Sequence, residues 1–160
     1  MTTTLASKIA TCRLGAKVTK ESSDGSIQLN DFFLNFAPTV PSDTTIWFHN
    51  IYTIAGSGSQ TLDLSGSLTD LLGQSATFAK VYGMLIINTA TTAGTLIHVG
   101  NSNFATFLGS STDLIKVGPS GCLMLFRNDG YTVTNSSGDI LTIAVPGGSA
   151  VDVKVGLIGK

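Results

Sequence analysis

"VDVKVGLIG", residues 151–159, alternates without a break. Val151, Val153, Val155 and Leu157 share one parity, and Asp152 and Lys154 share the other. On a helix these four apolar residues would scatter around the axis. On a strand, side chains two apart line one face. The stretch therefore reads as a strand with its valines and Leu157 inward and its charges outward.

The same signature repeats upstream. "ILTIAV" (140–145) is separated from it by the turn "PGGSA". "ATFAKVYGMLIINT" (76–89) is the longest apolar stretch and reads as a central strand. "TTAG" turns the chain into "TLIHVGN", and "LIKVGPSGCLMLF" (114–126) gives strand, Pro-Ser-Gly turn, strand. "RNDGY" carries Asp-Gly, a hairpin signal. "IQLNDFFLNF" (27–36) and "TTIWFHNIYTIA" (44–55) are aromatic and β-branched, with a proline-marked loop between them. In the second, bulky groups on both parities suggest a strand covered on both sides. "QTLDLSG" puts Leu62 and Leu64 on one face after the turn "GSGS" (56–59). About nine or ten short strands with regular turn signals point to an all-β, jelly-roll-like antiparallel sandwich.

One stretch interrupts the pattern. "GSLTDLLG" (66–73) has Ser67 followed three residues later by Asp70, the spacing of a capping box, and ends at Gly73. It predicts a helical turn near residues 67–72. So short a helix is unstable alone, so Leu68, Leu71 and Leu72 are expected to hold it on the sheet edge as a plug.

Charge and composition bear on function. Of the 160 residues, 12% are charged, against roughly 25% in ordinary domains. The difference is filled by 17 Ser and 21 Thr. A hydroxyl-coated surface with net charge −1 has little repulsion to keep copies apart, which suits a subunit of an assembly. Lys8, Arg13, Lys17 and Lys20 stand in a segment without acids, while ten acids and five bases follow it. Residues 1–26 are therefore read as a basic N-terminal arm that meets an acidic surface, and residues 27–160 as the sandwich domain. Within the arm, Leu5, Ile9 and Cys12 would share one helical face. Four dispersed cations are too sparse for a nucleic-acid interface. No run approaches the roughly 18 apolar residues of a membrane span, and the N-terminus lacks a secretory h-region. Both ends are expected to be packed rather than frayed.

The side chains offer little chemistry. Cys12 and Cys122 fit no disulfide scaffold or metal pattern and are expected to be free and buried. His49 and His98 sit singly in strands, as structural hydrogen-bonders, and no metal or cofactor site is expected. "GPSGC" (118–122) is a β-turn rather than a nucleophile elbow. Nine of the ten acids are Asp, mostly in turns, leaving Asp63 with Asp70 as the one carboxylate pair of interest. These features argue against an enzyme. Among aromatics, Trp47 is expected in the core. Tyr131, beside the Asp-Gly turn, is the candidate exposed contact, and Tyr52 and Tyr82 are further candidates for stacking on a sugar.

"LDLSGSLTDLLGQSATFAKVYGMLIINT" (62–89), "HVGN", "VGPSGCLMLF", "GYTVT", "ILTIAV" and "VDVKVGLIG" together resemble small β-sandwich proteins of tailed-bacteriophage structural modules, the capsid cement or decoration proteins. The likeness spans about residues 27–160; residues 1–26 lie outside it. The pattern usually has two glycines after the turn proline, and Ser120 takes the first of those places. The resemblance implies a virion protein on the outer capsid surface, made in the bacterial cytoplasm. Its partners would be the major capsid protein and itself, as a homotrimer rather than a dimer. It carries over no catalytic residue. On that reading Lys8, Arg13, Lys17 and Lys20 would contact the capsid or a neighbour. The alternative is a tail, neck or fibre module that contacts glycans.

Overall fold

A computed structural model describes the backbone of residues 12–21, 27–66 and 68–160, and side chains within 37–66 and 68–160. The described residues are all-β, with no helix and twelve strands. The strands are β1 (Cys12–Glu21), β2 (Ile27–Phe36), β3 (Ile46–Ile54), β4 (Ser59–Asp63), β5 (Leu68–Thr69), β6 (Ser75–Ala76), β7 (Lys80–Asn88), β8 (Ile97–Gly100), β9 (Leu114–Val117), β10 (Cys122–Thr132), β11 (Ile140–Ala144) and β12 (Val151–Gly159). They form two four-stranded sheets, ordered β10-β7-β12-β3 and β4-β11-β8-β9, and two hairpins, β1-β2 and β5-β6. Every pairing is antiparallel.

Alternation builds the core as the sequence implies. In β12, Val151, Val153, Val155 and Leu157 are buried while Asp152 and Lys154 are exposed. They join Phe48 and Ile54 of β3 and Met84 and Ile86 of β7 in one apolar cluster. The same cluster holds Leu62 of β4, Ile97 and Val99 of β8, and Leu141 and Ile143 of β11. The two sheets thus share a single core, to which Phe104 contributes from a loop. As expected of a central strand, β7 lies between β10 and β12.

Two local expectations are corrected. Residues 68–76 form a hairpin, not a helical turn: Leu68 pairs with Ala76 and Thr69 with Ser75. The Asp70 carboxylate accepts the backbone N–H groups of Leu72 and Gln74, each at 2.8 Å. Gly73 has φ +75, the left-handed residue of a three-residue hairpin loop. The Asp and Gly that suggested helix caps therefore serve a turn, whose conformational demands are the same. Ser67 lies outside the described residues. Second, Asp129-Gly130 is no hairpin. The register of β10 against β7 shifts between Phe126 and Tyr131, so this segment bulges out of one continuous strand. Gly130 has φ +74, and a Cβ there would meet Tyr82 Cε1 at 2.9 Å.

The ends of the domain are fastened by short contacts. Lys160 exchanges backbone bonds with Lys80, and its ammonium meets the Asp43 carboxylate at 2.5 Å. The Tyr82 hydroxyl donates to the same carboxylate at 2.9 Å. Asp43 thus ties the chain entering β3 to the end of β12 and to β7. At the N-terminal end, β2 pairs with β1 over ten residue pairs, from Cys12–Phe36 to Glu21–Ile27, and the boundary placed at residue 26 falls between them. The helical face suggested for Leu5, Ile9 and Cys12 does not extend to Cys12, which begins a strand; Leu5 and Ile9 lie outside the described residues.

Candidate functional site: an open apolar sheet face

Each core-facing residue of the β10-β7-β12-β3 sheet has outward neighbours, and these are unusually apolar. Strand register arranges them in rows. Trp47 pairs with Ile158, Ile158 with Gly83, and Gly83 with Phe126. The next row is His49, Gly156, Leu85 and Met124. The third is Ile51, Lys154, Ile87 and Cys122. Trp47 is 48% exposed and Ile51 45%. Together they line an open groove of about 770 Å³, with Leu71 of the β5-β6 hairpin loop at its rim.

Glycine shapes this surface. Ile158 and Phe126 close over Gly83, where a Cβ would meet Ile158 Cγ1 at 2.8 Å. Gly156 is open: an added Cβ would meet nothing nearer than Leu85 Cβ at 4.0 Å. The face is therefore low at Gly156 and filled over Gly83 by its neighbours. Among the described residues that line it, Lys154 is the one Lys or Arg. The Nδ1 atom of His49 is buried with no hydrogen-bond partner among the described residues.

The β5-β6 hairpin closes one side. Leu71 N–H donates to His49 O at 3.1 Å, and Asn50 Nδ2 donates to Thr69 O at 3.1 Å. The first bond satisfies one backbone acceptor on the free edge of β3, which would otherwise invite another strand. The plug was expected as a helical turn held by its leucines; what meets the edge of β3 is instead the hairpin backbone at Thr69 and Leu71. The leucines behave otherwise: Leu68 packs on the core, but Leu71 is 50% and Leu72 75% exposed. A leucine on a loop pinned by several hydrogen bonds is presented, not buried.

The aromatic assignments exchange places. Trp47, expected in the core, is exposed on the face. Tyr131, expected outside, is half-buried against the core, edge-on to Phe107 at 6.3 Å, with the Arg127 guanidinium 5.6 Å from its ring centre. Parity alone could not decide for Trp47, since Phe48 beside it is equally apolar and only one of them can face the core. For Tyr131 the bulge moves it back into register with Val81. Tyr82 is buried and Tyr52 packs against the core, so neither offers an open stacking face.

The remaining candidates do not converge. Lys8 lies outside the described residues. Arg13, Lys17 and Lys20 stand in β1 opposite Asn35, Asp31 and Gln28. Strand alternation separates Lys20 from the face shared by Arg13 and Lys17; their side chains lie outside the described residues. Asp63 accepts the N–H groups of Ser65 and Gly66, and Asp70 is committed to its own loop, so the two form no acid–base pair. Cys122 is free but exposed, because it occupies an outward position of β10; the Cys12 side chain lies outside the described residues. Among the described residues no three His, Cys, Asp or Glu side chains group to hold a metal.

The buried carboxylate Asp139 does structural work. It accepts Ser136 N–H at 2.7 Å, the Ser65 hydroxyl at 2.8 Å and Asn103 Nδ2 at 3.1 Å. The Ser136 amide first, then the Ser65 hydroxyl, hold its carboxyl below the usual aspartate range. Asn103 Oδ1 in turn accepts the N–H groups of Asp139 and Ile140. This network locks the loop before β11 and commits the carboxylate to structural hydrogen bonds.

No family model matches the chain, and no curated protein or solved structure is similar enough to match it either.

Proposed function

We propose that the chain is a structural component of a bacteriophage virion, a cement or decoration protein that attaches to the outside of a capsid and ties capsomers together. In this reading the two sheets face each other as a jelly-roll-like sandwich, and the molecule acts as a homo-oligomer, a trimer in preference to a dimer. It is not an enzyme. The observation that carries the reading is the outward face of β10-β7-β12-β3. Contiguous apolar surface on a stable sheet marks a place of attachment. The scarcity of charge across the chain removes the repulsion that would oppose close packing. Cationic residues of the N-terminal segment supply attraction to an acidic shell. The motif resemblance in residues 27–160 supports the same role.

The test is co-sedimentation with shells assembled from a tailed-phage major capsid protein and lacking any decoration. Saturable binding is expected for the natural chain. The quadruple change Lys8→Glu, Arg13→Glu, Lys17→Glu, Lys20→Glu should abolish it while the far-ultraviolet circular dichroism stays that of a β-protein. Equal binding by both chains would remove the arm from the reading.

A tail or fibre module that contacts glycans is the second reading, and the exposure of Trp47 is what favours it, since an open indole can stack on a sugar ring. Glycan-array binding lost in Trp47→Ala without unfolding is its signature.

A further inference from the structure

We propose that, in the free chain, the β1-β2 hairpin lies on the outer face of β10-β7-β12-β3 and covers it. The inference rests on reading that face as an attachment surface, though not on the identity of the particle.

The hairpin needs a support. A lone two-stranded hairpin is at best marginally stable in water. By register, Cys12–Phe36, Leu14–Leu34 and Ala16–Phe32 form three successive apolar pairs on one side, followed by Val18–Asn30 and Lys20–Gln28. The sheet face has the matching order. Its wholly apolar row, Trp47 to Phe126, is at the end where the chain enters β3; His49 stands in the next row, and the charged Lys154 and Asp152 come later. The apolar end of the hairpin is also the end joined to β3, through residues 37–45. Folding back over the face would set apolar rows on apolar rows and carry Lys20 toward Asp152.

Lengths agree as well. β1 and β2 have ten residues each and β3, β7 and β12 nine, so the two layers match along the strand direction. The connection decides for the hairpin of the same chain over that of a second copy. A tether this short gives an effective concentration on the order of millimolar, which a second copy in dilute solution does not reach. Covering the face also answers a practical need: an exposed apolar sheet on a weakly charged protein would aggregate before meeting its shell. Attachment to the particle then requires the hairpin to move aside or be shared.

Two native reporters sit on the face: Trp47, the only tryptophan of the chain, and Cys122. The experiment measures, in the full-length chain at low micromolar concentration, N-ethylmaleimide alkylation of Cys122 resolved by peptide mass spectrometry, with acrylamide quenching of Trp47 alongside. The natural chain should alkylate Cys122 at least tenfold more slowly than Leu34→Asp and Gly156→Glu, and Trp47 should be quenched less. Gly156→Glu places a charge beneath the hairpin where an added Cβ meets no clash, so it keeps the inference testable if Leu34→Asp disturbs the hairpin itself. Fast alkylation of the natural chain overturns the proposal. So does shielding that disappears on dilution, which would identify a second copy as the cover, and so does slow alkylation in all three chains. Shell binding is a separate measurement, so loss of the cover and loss of the attachment role are told apart.

Discussion

The backbone N–H of Leu71 donates to the carbonyl of His49 across 3.1 Å, joining the loop of one hairpin to the edge of the sheet that carries the apolar face. The bond is possible because Asp70 fixes the loop through Leu72 and Gln74, and because Gly73 accepts φ +75.

Asp70→Ala should therefore lower stability by about 1–3 kcal/mol, since two backbone donors lose their acceptor. Leu72→Ala, at a 75% exposed position, should change stability by no more than about 0.5 kcal/mol. Urea unfolding followed by circular dichroism measures both. Equal effects would mean that the loop is not held by its aspartate.

Trp47 and Tyr131 should separate in the opposite sense to their positions in the sequence pattern. Tyr131→Ala removes a ring packed on the core, on Phe107 and beneath Arg127, and should cost about 2–4 kcal/mol. Trp47→Ala should cost less than Tyr131→Ala, because Trp47 lies outside the core, 48% exposed, where only the hairpin can cover it. Thermal unfolding of the two variants decides the order; a larger loss for Trp47→Ala would place that indole in a core.

Stability should fall at both pH extremes, for identifiable reasons. Asp139 and Asp43 have carboxyls held below the ordinary value of 3.8, the first chiefly by the Ser136 amide and the second chiefly by Lys160. The unfolded chain binds these protons more readily, so their contribution is complete above about pH 4 and is lost as pH falls through the lowered values. Tyr82 and Lys160 are shifted up from 10.0 and 10.5, Tyr82 chiefly by burial and Lys160 chiefly by Asp43. Their contribution is present below those values and is lost on further rise. Asp139→Asn should flatten the acid limb of a melting temperature against pH profile and leave the alkaline limb alone. An unchanged acid limb would free Asp139 of this role.

How much of this was legible in the letters depends on the element. The alternation of 151–159 gave the strand, its inward face and its share of the core, because burial on one side imposes period two. The segment 66–73 misled, because Asp and Gly satisfy a helix start and stop and a hairpin loop by the same local chemistry. Only the pairing of Leu68 with Ala76 distinguishes them. Asp129-Gly130 misled for a related reason, since a positive φ at Gly130 serves a bulge as well as a turn. The apolar face was half visible: both parities of β3 carried bulky groups, which predicted cover on two sides. That Trp47, Leu85 and Phe126 form one surface depends on strand order β10-β7-β12-β3, and pairing partners distant in sequence leave no local trace.

Whether this face attaches the molecule to its particle is tested most directly by Gly156→Glu in the shell co-sedimentation assay, with far-ultraviolet circular dichroism measured in parallel. A charge at the centre of the rows should abolish saturable binding while the far-ultraviolet circular dichroism stays that of a folded β-protein. Binding of the variant with undiminished affinity, or failure of the natural chain to bind any shell while remaining folded, would contradict the attachment role.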